Sequence, residues 1–308
     1  MRYRKLGEAE IEVSEVGFGL WTLSAPWWKP PDEASAIALL KQAYDAGITY
    51  YETGPYGHGV GEGLLGKAFG ERREMIILGA TAPANPAGIR FAVQASLQRL
   101  GSTYLDLLFI ENPTMAVLQD NALFAGLDAL KDEGLIRYWG ISMGPGVGHY
   151  DEGMAAIKKR FATAVGHAFN VLEQDPGRKF FTASLEGNTG NVVRGAHASG
   201  PMAGTYDPAF SLIDPTAPAP RRPDFLRWAE AAAKSLAWIH EGHGMTIGQA
   251  AIKFCLSEET VSTVLPDIRT AGQLAEYTEA PDKDDYSQQD VAEIAERYRQ
   301  AFGTPRPG

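Results

Sequence analysis

Residues 105–142, LDLLFIENPTMAVLQDNALFAGLDALKDEGLIRYWGIS, decide the fold. Residues 105–110 form a nearly continuous apolar run of strand length, as expected of a strand covered on both faces of a sheet. Residues 121–133 place apolar side chains at helical spacing and stop before Gly134, a residue suited to the left-handed turn that ends a helix. Residues 138–142 then return to strand character. Strand, helix and strand in this order make a crossover unit whose two strands run parallel.

The same alternation extends in both directions. Strands are predicted at residues 13–20, 48–52, 75–80, 105–110, 138–142, 163–168, 191–194 and 261–265. Helices are predicted at 32–46, 61–69, 87–100, 121–133, 152–161, 178–185, 225–241, 246–256, 271–279 and 287–302. A hairpin over residues 2–6, turning at Gly7, precedes them. Eight parallel strands separated by helices imply a closed (β/α)8 TIM barrel, an α/β fold, here with an N-terminal β-hairpin and a C-terminal helix. At 308 residues the chain suits one such barrel, so a single domain over 1–308 is expected. The longest irregular stretch, 200–223, is rich in Pro and Ala and follows the seventh strand. That places it at the C-terminal mouth, where barrel sites form.

Composition narrows the function classes. The chain is 44% hydrophobic and 21% charged, with a formal net charge of −10, which opposes binding to nucleic acid or anionic lipid. The one cysteine, Cys255, lies in an apolar run and forms no internal disulfide. The N-terminus carries no signal-like apolar block and no stretch reaches membrane-spanning length, so a cytoplasmic protein is expected. The six histidines show no metal-ligand spacing, and neither a Walker motif nor a Ser-His-Asp elbow is present. A small-molecule substrate is the expected partner.

Several segments, in order and spacing, resemble the aldo-keto reductases over nearly the whole chain: MRYRKLGEAEIEVSEVGFGLWTL, EGLLGKAF, YLDLLFI, GLIRYWGIS and VSTVLPDIRTAGQL. The resemblance implies a nicotinamide-dependent barrel that reduces aldehydes and ketones with an Asp, Tyr, Lys and His tetrad at the ends of strands two to four. Residue by residue, the tetrad is altered. In Tyr51-Glu52-Thr53-Gly54-Pro55-Tyr56-Gly57, Glu52 falls at the Asp position and Tyr56 at the Tyr position. Strand three ends Thr81-Ala82 where the family has Thr-Lys, and strand four ends with Glu111 where the family has His.

The cofactor positions are altered too. Ser142 is kept, whereas Met143 replaces an Asn and Gly166 stands where the family has Gln. Arg194 occupies the position that often stacks on the nicotinamide. Asp267 and Gln273 stand where a Lys and an Arg hold a 2′-phosphate, Arg269 is displaced nearby, Glu276 is kept and Tyr277 replaces an Asn. The resemblance therefore implies NADP or NAD, held through Ser142, Arg194, Arg269, Gln273 and Glu276. Trp21, Trp27, Trp28, His58 and His197 are the candidates for the substrate pocket.

These substitutions bear on the chemistry. A phenol has an ordinary pKa of about 10, and a neighbouring cation makes it a better acid. Without the lysine, Arg194 and His58 are the candidate cations. Glu52 and Glu111 are expected to face one mouth, where like charges disfavour double ionisation. Three readings follow. The first is an atypical nicotinamide-dependent oxidoreductase of a small carbonyl or conjugated enone, with Tyr56 as proton donor. The second is a redox-neutral lyase or isomerase that uses Glu52, Tyr56 and Glu111 as acid and base groups. The third is a non-catalytic binding protein. The sequence favours the first.

Overall fold

The computed structural model describes residues 1–144, 148–204, 222–303 and 306. The chain begins with an antiparallel hairpin, β1 (Tyr3–Lys5) and β2 (Glu12–Ser14). Eight further strands follow: β3 (Phe18–Gly19), β4 (Tyr50–Glu52), β5 (Ile77–Pro83), β6 (Leu105–Glu111), β7 (Ile136–Ser142), β8 (Ala164–Ala168), β9 (Gly190–Arg194) and β10 (Val261–Leu265). They form one parallel sheet in sequential order, with helices in the connections. A parallel bridge between Val16 and Val264 draws its two edges together. There Gly17 donates its N–H to the Val264 carbonyl at 2.9 Å, and Val264 donates to that of Glu15 at 2.8 Å. The architecture is the (β/α)8 barrel with its N-terminal hairpin.

Two cores hold it. Side chains alternate along each strand, so every strand feeds both. The larger core lies between sheet and helices and includes Tyr51, Leu78, Ala80, Ala82, Leu108, Ile110, Ile141 and Val193. The smaller fills the barrel: Tyr50, Leu107, Phe109, Ala164, Val192 and Leu265, with Leu6, Ala9, Ile11 and Val13 of the hairpin region at one end and Trp21 at the other. Arg4 anchors the hairpin. It pairs with Glu15 at 2.6 Å and donates to the carbonyls of Leu256, Glu258 and Val261.

The differences from the sequence expectation have local causes. The run 13–20 splits because the Ser14 hydroxyl donates to the Val16 carbonyl at 2.7 Å and accepts from the Thr49 N–H at 3.0 Å, turning the chain between hairpin and barrel. The helix expected at 225–241 is two helices, Pro223–Ser235 and Trp238–Glu241, and the one expected to reach 302 ends at Arg299. Two short helices were not anticipated, Trp21–Ser24 and Met115–Gln119. The Thr114 side chain caps the second. Most of the long segment 200–223 lies outside the described residues.

Candidate active site

Strand alternation sets which residues meet at the mouth. Tyr50 and Glu52 share one face of β4, and Tyr51 between them packs outward. Phe109 and Glu111 share the inward face of β6. On β5 the inward position is marked by Gly79, where a Cβ would lie 2.5 Å from the Tyr50 hydroxyl. Thr81 falls on that same inward face, while Ala82 packs in the outer core. At this strand end it is thus Thr81, and not Ala82, that presents its side chain inward. Neither residue carries a cation.

The cation comes from the opposite side of the barrel. Arg194, at the end of β9, binds Glu52 through Nε at 2.8 Å and Nη2 at 2.6 Å, both on Oε1. Its Nη1 donates to the Ser142 hydroxyl at 3.0 Å. The guanidinium lies over Phe109, 5.3 Å from the ring centroid, and its side chain remains 17% exposed. It takes the volume beside Gly166, where a Cβ would sit 2.5 Å from both terminal nitrogens. Glu52 is 1% exposed, and Tyr50 donates to its second oxygen at 3.0 Å. Glu52 is thus bound on both oxygens and paired with an opposite charge. The charge that Glu52 meets directly is that of Arg194.

Tyr56 and Glu111 both feel the Arg194 charge. Tyr56 is half-buried, with Trp27 edge-on at 5.3 Å between ring centroids. Burial pushes its phenol above the ordinary value of 10.0; Glu111 adds to the rise and Arg194 opposes it. Burial likewise raises the Glu111 carboxyl, again opposed by Arg194. Among the described residues, neither the Tyr56 hydroxyl nor the Glu111 carboxylate has a hydrogen-bond partner.

The other expected site residues divide. Trp21 is buried beneath the mouth, folded over Gly19, and its indole N–H donates to Asp267 at 3.0 Å. Burial raises the Asp267 carboxyl, opposed by that hydrogen bond and by Arg269. Trp28 and Arg269 stack, 5.6 Å apart, and Gln273 accepts the Arg269 backbone N–H at 2.9 Å. Glu276 accepts from the Thr246 hydroxyl. Met143 is buried in the outer core. His58 is exposed in the turn Gly57–Gly59 and makes no ion pair among the described residues. His197 is buried against Tyr277, 4.6 Å between ring centroids, with Nε2 on the Gly248 carbonyl at 3.2 Å, and so does not line the pocket. Burial holds its imidazole down at about 4, neutral at ordinary pH. The inward roles of Tyr50 and Thr81 escaped sequence reasoning. The signal for Tyr50 was its two-residue spacing from Glu52.

The profile of the Aldo/keto reductase family matches residues 15–299.

The chain belongs to the aldo/keto reductase family.

Aldo/keto reductases are oxidoreductases that generally use NAD(P)H. Relatives of this member include two Bacillus subtilis proteins. "Uncharacterized oxidoreductase YqkF" is 26% identical, with 97% of each chain covered. "Aldo-keto reductase YhdN" is 25% identical, covering 91% of this chain and 88% of that one. Solved structures agree on the fold. The holo form of aldo-keto reductase AKR11C1 from Bacillus halodurans superimposes with a TM-score of 0.80 at 24% identity, over 96% of each chain. The glycerol dehydrogenase AKR11B4 from Gluconobacter oxydans gives 0.82 at 19% identity, over 98% of this chain and 97% of that one.

Proposed function

We propose that this chain is a nicotinamide-dependent oxidoreductase that reduces a small carbonyl compound or conjugated enone, with Tyr56 as the proton donor and Arg194 as the cation that counters the rise in its pKa. The observation that carries the reading is the Glu52–Arg194 ion pair. It holds the Arg194 guanidinium where its charge opposes the rise that burial and Glu111 impose on the Tyr56 phenol.

The barrel end suits a nicotinamide ring. Arg194 rests one face on Phe109 and keeps part of its surface exposed, which leaves a flat cation for a planar ring to lie against. Ser142 accepts from Arg194 and so retains its own hydroxyl proton to donate to a carboxamide oxygen. Gly166 and Met143 provide no second amide contact. The 2′-phosphate is less well served. Asp267 is buried on Trp21, and Gln273 is committed to the Arg269 backbone. These residues favour NAD over NADP. The bound cofactor would supply a hydride to the substrate.

Tyr56 then delivers its proton to the substrate oxygen, and Arg194 stabilises the phenolate left behind. Glu52 holds Arg194 in place and, bound on both oxygens, takes no proton from substrate. Trp27 orients the Tyr56 ring from its edge. Trp28 and Glu111 border the space a substrate enters.

A second reading, redox-neutral proton transfer between Glu111 and Tyr56, is favoured by the lack of an internal partner for either group among the described residues. One titration separates the two. The protein is titrated with NADH and with NADPH while tryptophan fluorescence is followed. Saturable quenching in the micromolar range, tighter for NADH, is the expected outcome. No binding of either at millimolar concentration overturns the oxidoreductase reading and leaves the acid–base one.

A further inference from the structure

We propose that Tyr50 is a positioning residue: its hydroxyl fixes the Glu52 carboxylate in the one orientation that delivers the Arg194 guanidinium to the barrel mouth. The inference rests on the role given to Arg194 above and assigns the part of the machinery that holds it.

Four groups form a continuous chain across the barrel. Tyr50 donates to Glu52 Oε2 at 3.0 Å. Glu52 Oε1 accepts from Arg194 Nε and also meets Nη2 at 2.6 Å. Arg194 Nη1 donates to Ser142 at 3.0 Å. Glu52 has one more rotatable bond than an aspartate and therefore more orientations to lose on ordering. With only Oε1 engaged, the buried carboxylate could swing to take the guanidinium through both oxygens, the usual fork geometry, and draw it away from Ser142. A donor on Oε2 blocks that rotation.

Two glycines point to the same arrangement. A Cβ at Gly79 would lie 2.5 Å from the Tyr50 hydroxyl, and one at Gly166 would lie 2.5 Å from the Arg194 terminal nitrogens. The sheet is thus hollowed at both ends of the chain of groups, on β5 for the phenol and on β8 for the guanidinium. Tyr50 is fully buried. Burial and the neighbouring carboxylate push its pKa well above the ordinary value, so it remains a donor at any working pH and is not itself the acid.

The test is Tyr50→Phe, which keeps the ring and removes the donor. The Arg194 Nε–H resonance is followed by 1H–15N NMR, assigned by its loss in Arg194→Lys. In parallel, NADH binding is followed by tryptophan quenching. The expected result is a displaced, faster-exchanging Nε–H signal, with NADH affinity weakened by about tenfold, as for loss of one charge-assisted hydrogen bond. An Arg194 signal identical to wild type overturns the proposal, because a residue that merely fills space would leave it unmoved. So does a displaced signal with unchanged affinity in a protein that binds NADH. If wild type binds no NADH, the oxidoreductase reading fails, while the NMR signal still decides whether Tyr50 fixes the pair. Should Tyr50→Phe not fold, the 13Cζ resonance of Tyr50 is compared in wild type and Glu52→Gln. A shift supports the bond to the carboxylate, and its absence overturns it.

Discussion

At the scale of single residues, the mouth separates a paired charge from an unpaired one. Glu52 is neutralised by Arg194, whereas Glu111 is half-buried with no partner among the described residues. Tyr56→Phe is expected to reduce turnover of a carbonyl substrate roughly 10²- to 10⁴-fold, the usual worth of a general acid, while NADH affinity changes less than about twofold. Steady-state rates and fluorescence titration check this. Glu111 carries a pH signature. Its carboxyl holds its proton more tightly folded than unfolded, so its contribution to stability is present below the ordinary value of 4.5 and is lost as pH rises through the folded value. Glu111→Gln should therefore melt higher than wild type at pH 7, with the difference shrinking to nothing toward pH 4; melting curves at several pH values read it. The sequence located Tyr56, Glu111 and Arg194 at the mouth. It did not tell that Glu52 pairs with Arg194 or that His197 is buried, because burial and partner choice are not written in residue type.

At the scale of elements, the helical and strand periodicity was readable from the chain alone. The helix Ile247–Leu256 starts where Thr246 and Gln249 form a reciprocal capping box, and its last strand-side neighbour, β10, spans the expected residues. Thr246→Ala should cost about 1 kcal/mol in denaturant unfolding, since it leaves the Gln249 N–H without an acceptor and also frees Glu276. Element ends were less legible. Ser14 turns the chain through side-chain hydrogen bonds, and the helix break near Leu236 is carried by no Gly or Pro in residues 225–241. The inward face of β5 needed the structure. Thr81 and Ala82 are both compatible with a strand end, and only the contact of Gly79 with Tyr50 fixes which of them looks inward.

For the whole molecule, histidines buried in the packing outside the barrel strands lower its acid tolerance. His167 and His197 are both fully packed, with imidazoles held down at about 4 by burial. A group whose folded pKa is lowered contributes stability that is present above its ordinary value of 6.5 and is lost as pH falls through the folded value. Acidification from 6.5 to 4 should therefore destabilise the protein by on the order of 3 kcal/mol per histidine. His197→Gln, which keeps a donor for the Gly248 carbonyl, should flatten that dependence. Chemical denaturation across this pH range tests it.

The sequence by itself determined the eight-fold alternation and the family, because periodicity and residue type act locally along the chain. Only the tertiary structure decided that Arg194, 142 residues from Glu52, becomes its counter-ion. Closing a parallel sheet into a cylinder sets the ends of β4 and β9 across from each other, and two glycines on intervening strands leave the room. A contact made by closure depends on curvature and volume, which no local pattern encodes.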